Sequence, residues 1–158
     1  MPNPLAGSRL YARIGNVFTR PAWSLLHPPT GFAVLTTTGR RSGKPRRQSI
    51  RAIRDGDRVV VVAMMDERAQ WLKNGRANPK ISLRLHEGTF AGTVREVTDP
   101  SEREWARRVY VQTTVANDYF DYAAYEWGLP TRGKIERAHA RWFDGGVPVI
   151  ADIGGGAA

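Results

Sequence analysis

The residues most able to do chemistry in this chain form a basic turn that follows an apolar run. The turn extends from Thr36 to Arg47, contains Gly39 and Gly43, and carries five arginine or lysine side chains. Such side chains donate charge-assisted hydrogen bonds to phosphate or carboxylate, and glycines let backbone N–H groups approach an anion. The turn therefore predicts a binding site for a phosphorylated or polyanionic small molecule.

The turn differs from the phosphate loop of P-loop nucleotidases. That loop has four residues between its glycines and a serine or threonine after its lysine, which holds magnesium. Here three residues separate Gly39 from Gly43, and Pro45 follows Lys44. The spacing therefore excludes a nucleotide-hydrolysing loop of that type.

Side chains that catalyse reactions by themselves are sparse. The chain has no cysteine, which excludes disulfides, thiolate metal sites and a cysteine nucleophile. Its three histidines, His27, His86 and His139, are far apart and lack metal-ligand spacing. We therefore expect no metal and no catalytic side chain, so that redox chemistry would require a bound cofactor.

The net charge of +9 is concentrated in the first third of the chain. Residues 1–58 hold eleven lysines and arginines against two acids, whereas residues 59–158 hold thirteen against thirteen. A localised anion site accounts for this distribution, as does a basic face turned to solvent, to a membrane or to nucleic acid. Because aromatic residues are absent among the basic ones and the remainder is neutral, we expect no nucleic-acid partner.

The length of 158 residues is that of a single domain. The pattern predicts an amphipathic N-terminal helix over 8–27, a barrel core over 31–98, a helical segment over 101–127, a closing strand over 147–153 and a flexible tail over 154–158. The helix over 8–27 either packs on its own domain or contacts a membrane surface. With no apolar run of about 20 residues and no leader, we expect a cytoplasmic protein, with membrane association through this helix left open.

The core segment contains several strand signals. Val59 to Ala63 is wholly apolar, which is typical of a strand covered on both faces, and Lys80 to His86 alternates apolar with polar residues before a turn at Glu87-Gly88. Asp66 to Arg76 predicts a helix that Asp66 caps.

The later part of the chain is read in three pieces. Ser101 and Glu104 have capping-box spacing at the start of the next helix. Gly128 to Lys134 is predicted as a loop, and Ile135 to Phe143 stays ambiguous. Strands and helices do not alternate strictly, so we predict a mainly β, α+β fold, a mostly antiparallel sheet curled into a small barrel with helices outside.

Aromatic side chains are dense between residues 119 and 127. Such a cluster either fills a core or forms the wall of a pocket for a flat ring. The same two alternatives apply to Trp71 and Asn74, which lie three apart on one helical face. With Tyr110, which lies further upstream, the cluster comprises Tyr119, Phe120, Tyr122, Tyr125 and Trp127.

Taken together, these segments resemble the deazaflavin (F-420)-dependent nitroreductase family of actinobacterial oxidoreductases, within the flavin/deazaflavin oxidoreductase superfamily. The most specific signature is the stretch from Thr37 to Arg46, and the similarity runs from about residue 31 to residue 100. Val147 to Ile150 resembles the family's closing strand.

The resemblance implies a split β-barrel, similar to FMN-binding barrels, and a site for the deazaflavin coenzyme F420. This coenzyme is a hydride carrier with a phosphate and an oligoglutamate tail, and it would supply the chemistry. The basic turn would hold the phosphate and tail, and residues after the third strand and on the next helix would border the ring. The implied cofactor-binding residues are Thr38, Arg40, Arg41, Ser42, Gly43, Lys44, Pro45, Arg46, Ala63, Met64, Met65, Trp71 and Asn74.

The resemblance therefore implies an oxidoreductase that transfers hydride to a quinone-like, nitroaromatic or enone acceptor. The substrate pocket would be lined by Tyr119, Tyr122, Tyr125 and Trp127. The link from Met64 to Gln70 is shorter than the family's usual loop. This difference leaves open an alternative, a non-catalytic split-barrel protein that binds FMN or another flavin, haem or a lipid-like ligand.

Overall fold

The structure is a computed structural model that describes residues 27–125 and 128–154, without the side chains of residues 124 and 125. The helix predicted over 8–27 lies outside the described residues except for its last position. Most of the tail predicted over 154–158 also lies outside them.

The described chain folds into a closed barrel of six strands. Around the barrel the strands follow the order β1-β2-β3-β6-β5-β4, and every neighbouring pair is antiparallel. Closure leaves no unpaired sheet edge, and it confirms the predicted antiparallel barrel. The strands are β1 (Phe32–Thr38), β2 (Pro45–Asp55), β3 (Arg58–Ala63), β4 (Lys80–Leu85), β5 (Gly88–Glu96) and β6 (Val147–Ile153).

The apolar run in β3 is buried on both faces, as its sequence predicts. Val59 and Val61 point into the barrel, where they join a core that includes Leu35 and Leu83. Val60 points outward and packs with a second cluster beneath the helices. Two buried faces explain why polar residues are absent from the run Val59 to Ala63.

Within residues 27–125 and 128–154, four helices surround the barrel, and none of them is long and apolar enough to cross a bilayer. The segment predicted over 101–127 is broken at 113–115 into two helices. The segment from Ile135 to Phe143, for which the sequence pattern was ambiguous, is also helical. Its helix begins within the loop predicted over 128–134. The helices are α1 (Gln70–Ala77), α2 (Pro100–Gln112), α3 (Ala116–Tyr125) and α4 (Arg132–Gly145).

Two predicted helix caps are wrong. The cap of α2 is Asp99, whose side chain accepts a hydrogen bond from the Glu102 backbone N–H at 2.8 Å. Ser101 lies inside the helix because Pro100 already occupies its first position. Asp66 belongs to a separate 3₁₀ turn, at a φ of 47°, and α1 begins after Ala69.

The β4–β5 hairpin is present, but it turns one residue earlier than predicted. Leu85 pairs with Gly88, so His86 and Glu87 form the connection. Gly88 has a φ of 149°, a backbone conformation that residues with a Cβ rarely adopt.

A buried polar cluster joins the barrel to the helices. Arg51 on β2 donates from Nε to Asp118 Oδ1 at 3.0 Å and from Nη1 to the Tyr110 carbonyl at 3.0 Å. His139 Nε2 on α4 lies 3.6 Å from the same Asp118 oxygen. Burial would raise the pKa of Asp118, but the contacts with His139 and Arg51 outweigh it and lower that pKa to about 2. The cluster therefore pairs the charge of Arg51 with that of Asp118 in the interior of the protein.

Asp121, one helical turn after Asp118, gives the stability a predictable pH dependence. Burial, and to a lesser extent the Asp118 charge, raise the pKa of Asp121 to about 6. Between the unfolded value of about 4 and this value, the folded state holds a proton that the unfolded state has lost. The contribution of Asp121 to the unfolding free energy therefore falls as pH rises through this window, by about 2 to 3 kcal/mol.

We expect Asp121→Asn to remove this fall, because the amide does not ionise. Urea unfolding of both proteins at about pH 4 and about pH 7.5 measures the difference. Asp57→Asn, at an exposed turn position, is the control and is expected to leave the fall in place. If the unfolding free energy changed equally between the two pH values in the wild type and in the Asp121→Asn variant, this assignment would be contradicted.

Candidate ligand-binding groove

A groove of about 1270 Å³ opens on the outside of the barrel. Its floor is the outer face of β1 and β4, one rim is the β1–β2 turn, and another rim is the first turn and a half of α1. Val34 and Thr36 form the middle of the floor, and Trp71 stands on the α1 rim. The basic turn thus borders a groove large enough for a ligand the size of a coenzyme.

The groove is strongly cationic. Among the described residues that line it there is no aspartate or glutamate. A concave site with charges of one sign attracts ligands of the opposite sign and raises their local concentration. The six cationic lining residues are Arg40, Arg41, Lys44, Arg46, Arg47 and Arg84.

Internal hydrogen bonds give the β1–β2 turn its shape. Gly39 N–H donates to the Lys44 carbonyl at 2.8 Å, and Gly43 N–H donates to the Gly39 carbonyl at 2.7 Å. The Ser42 hydroxyl oxygen accepts from Lys44 N–H and from Arg46 Nη2. A Cβ on Gly39 would lie 2.8 Å from that hydroxyl oxygen, and Gly43 has a φ of 65°. Both glycines are therefore needed for the turn.

The backbone of the turn offers less to an anion than expected. The N–H groups of Gly39, Ser42, Gly43 and Lys44 already donate within the turn, and that of Arg40 donates to Asn74 Oδ1 at 3.2 Å. The expectation that glycines expose backbone N–H groups is therefore wrong for these five positions. An anion at the turn has to be bound mainly by side chains.

Asn74 connects the turn to α1. This side chain is 5% exposed, donates to Thr37 Oγ1 at 3.2 Å and accepts from both the backbone and the guanidinium of Arg40. Arg40 Nη1, the guanidinium nitrogen that donates to Asn74, also donates to Gln70 Oε1 at 3.1 Å. Arg40 therefore faces α1 and braces the turn, while Arg41, which makes no such bond to the residues that the structure describes, is exposed at the rim.

Several residues implied by the resemblance lie away from the groove lining. Ala63 is fully buried in the barrel, Met65 packs against the barrel core, and Met64 is 46% exposed. Thr38 and Gly43 are sequence neighbours of residues that line the groove, but they do not line it themselves. A role for these five residues in cofactor binding stays a prediction.

The aromatic cluster is also separate from the groove in the described structure. Tyr122 is 7% exposed and packs with Ile135 and Ala138 between α3 and α4. Tyr119 is 39% exposed, and neither tyrosine lines the groove. The Tyr125 side chain and Trp127 lie outside the described residues. Tyr122 therefore fills a core, one of the two alternatives, and a substrate pocket in this region stays a prediction.

Sequence reasoning missed the floor of the groove. Ser82 and Arg84 are polar positions of the alternating strand β4, and alternation alone indicates that they face outward. Which element they face depends on register: Ser82 pairs with Thr36 and Arg84 with Val34. The signal for outward orientation was present, but the pairing that brings these residues to the basic turn is not visible in the sequence.

A closed antiparallel barrel with a cationic groove on its outer face belongs to the split-barrel class of ligand-binding folds. The family model described as F420H(2)-dependent quinone reductase matches residues 22–130. The chain therefore belongs to this family, which confirms its resemblance to deazaflavin-dependent oxidoreductases. Helix α4 begins just beyond the matched region.

Two curated relatives have the same level of similarity. An F420H(2)-dependent quinone reductase of Mycobacterium tuberculosis is 33% identical over 99 residues, which are 60% of this chain and 64% of the relative. A putative F420H(2)-dependent quinone reductase of Mycobacterium bovis gives the same values. The chain thus spans less than two thirds of the length of these relatives.

Solved structures share the fold at lower sequence identity. The structure of an F420-H2 dependent reductase has a TM-score of 0.51 at 22% identity, covering 77% of this chain and 93% of the other. A putative 5-nitroimidazole antibiotic resistance protein from Bacteroides thetaiotaomicron has a TM-score of 0.53 at 8% identity, with coverages of 97% and 82%. At these identities the similarity shows the fold alone.

Proposed function

We propose that this protein is an oxidoreductase that binds reduced coenzyme F420 in the groove and transfers hydride to a quinone. The observation that carries the proposal is the lining of the groove, which has six cationic side chains and no acid among its described residues. Four of the six cationic side chains come from the segment that gives the family its signature.

The residues present suit such a coenzyme. Its phosphate and oligoglutamate tail offer only acceptor oxygens and negative charge, and Arg41, Lys44 and Arg46 are exposed donors along one rim. On the other rim, the Trp71 indole provides an aromatic surface against which a flat ring can pack. When bound, the coenzyme supplies the hydride.

The role of the protein itself is to bind the coenzyme and to orient it. Asn74 holds Arg40 and Thr37, so the cationic rim and the Trp71 rim keep a fixed separation. A fixed separation orients a ligand that contacts both rims at once, and orientation of this kind is a large part of enzymatic rate acceleration. Arg46 is oriented in turn by the Ser42 hydroxyl.

Titration of the protein with oxidised coenzyme F420, followed by tryptophan fluorescence, tests the proposal. We expect saturable quenching whose affinity falls with added salt, because the contacts are ionic and partly exposed. Trp71→Phe is expected to lose much of the quenching while retaining binding in equilibrium dialysis. Absence of binding at tens of micromolar coenzyme would contradict the proposal. Saturable binding of haem or FMN in its place would favour the binding-protein alternative.

A further inference from the structure

Two serines are exposed in the part of the chain that the structure describes, and their surroundings differ in charge. Ser42 lies in the β1–β2 turn, and the sequence contains no aspartate or glutamate before Asp55. Ser101 lies in the first turn of α2, where its hydroxyl donates to Asp99 and Glu102 is the next residue. Ser42 is therefore an exposed serine in cationic surroundings, and Ser101 is its counterpart in acidic surroundings.

The Ser42 hydroxyl lies among cationic donors at the rim of the groove. Ser42 lines the groove, and its Oγ accepts from the Lys44 backbone N–H at 3.3 Å and from Arg46 Nη2 at 3.4 Å. The side chains of Arg41 and Lys44 are exposed beside it. Cationic and N–H donors form strong, charge-assisted hydrogen bonds with phosphate. A phosphate on this oxygen would therefore be stabilised by groups that are already in place.

The sequence around Ser42 suits an enzyme that attaches such a phosphate. Arginine occupies the two positions before Ser42, and lysine or arginine occupies the second and fourth positions after it. Protein kinases select substrates partly by complementary charge. A serine kinase with an acidic substrate-binding groove is therefore expected to favour Ser42 over Ser101.

We propose that Ser42 is a phosphorylation site and that its phosphate excludes anionic ligands from the groove. The kinase transfers the γ-phosphoryl group of ATP: Ser42 Oγ forms a bond to phosphorus, the bond between that phosphorus and ADP breaks, and the hydroxyl proton is released. The attached group carries a charge of about −1.5 to −2 at pH 7. It binds to Lys44 and Arg46 and reduces the positive charge that attracts anions. The effect on coenzyme binding rests on the proposed function.

Incubation of the folded protein with ATP and the catalytic fragment of protein kinase C tests the site. This kinase prefers basic residues on both sides of its serine, and mass spectrometry of the digested protein locates the phosphate. We expect phosphate at Ser42 and at least about tenfold less at Ser101. The Ser42→Ala variant is the control and is expected to carry no phosphate in this turn. Absence of phosphate from Ser42, or equal phosphorylation of the two serines, would overturn the inference.

Protein synthesised with phosphoserine in place of Ser42 tests the effect on binding. Equilibrium dialysis measures the affinity for coenzyme F420, and calorimetric titration measures that for tripolyphosphate, an anion without a ring. We expect both affinities to fall about 100-fold, because the attached phosphate takes about two charge-assisted hydrogen bonds from the ligand. Wild-type protein that the kinase has phosphorylated after folding gives the same comparison without a refolding step.

The matched control carries phosphoserine in place of Ser101, which does not line the groove. Its charge is screened by salt, so we expect both affinities to change less than about threefold. Equal losses in the two phosphoserine proteins, or unchanged affinity for tripolyphosphate with phosphoserine at position 42, would overturn the inference.

The two ligands separate this inference from the proposed function. A wild type that binds tripolyphosphate but no coenzyme overturns the proposed function, and the inference then stands or falls on the tripolyphosphate comparison. A wild type that binds coenzyme equally well with and without phosphate on Ser42 overturns the inference alone. A wild type that binds neither ligand overturns both.

Discussion

Replacing Arg41 and Lys44 together by glutamine is expected to weaken coenzyme binding about 100- to 1,000-fold. Each substitution removes a charge-assisted hydrogen bond worth about 1.5 to 2 kcal/mol, and each 1.4 kcal/mol is a factor of ten in affinity. The shape of the turn is expected to survive, because Lys44 takes part in it through its backbone. Equilibrium dialysis of the variant against coenzyme F420 measures the loss.

The matched control makes the same change of charge on another surface. Arg132 and Arg137 are exposed on α4 and do not line the groove, so their joint replacement by glutamine is expected to change the affinity less than threefold. Similar losses in the two double variants would show that net charge, and not the turn, attracts the coenzyme. Undiminished affinity in the Arg41 and Lys44 variant would place the tail elsewhere.

Asp118→Asn is expected to lower the free energy of unfolding by about 3 to 5 kcal/mol, a large fraction of the stability of a single domain. The change leaves the Arg51 guanidinium buried without a countercharge. It also weakens the bond from the Val115 N–H to Asp118 Oδ2, 2.8 Å long at the start of α3. Urea unfolding at neutral pH measures the loss.

An exposed ion pair supplies the comparison for this prediction. Arg107 on α2 and Asp144 on α4 pair at 2.8 Å, with side chains 45% and 53% exposed. Asp144→Asn is expected to cost no more than about 1 kcal/mol, since water screens such pairs. Equal losses in the two variants would contradict the central role assigned to the buried cluster.

The contrast between these two pairs also shows what sequence patterns predict well. Alternation in Lys80–Leu85 and the apolar run in β3 predicted strands and their burial because those signals are local. Arg51 lies in a basic, polar stretch that resembles a solvent-exposed strand. Its burial depends on carbonyl and carboxylate groups about sixty residues away, at Tyr110 and Asp118, which no local pattern contains.

The groove likewise combines features that the sequence predicts with features that depend on residues far apart in the chain. The basic turn is visible in composition and spacing, and its two glycines indicate its tight backbone. The packing of α1 against the end of β1 turns Arg40 toward α1. It also places Asn74 where its side chain accepts hydrogen bonds from Arg40. Arg84 reaches the groove only through the register of β4 on β1. Residues that bind through pairing between distant strands are therefore found by structure.

Anaerobic oxidation of reduced coenzyme F420 by menadione is the most direct test of the proposed function. The recovery of the oxidised coenzyme's absorbance is followed with and without the protein. We expect the protein to accelerate it catalytically, with one coenzyme oxidised for each quinone reduced, and the Arg41 and Lys44 double variant to be nearly inactive at the same coenzyme concentration. A protein that is saturated with coenzyme and yet gives no rate above the protein-free reaction would contradict the proposed hydride transfer to a quinone.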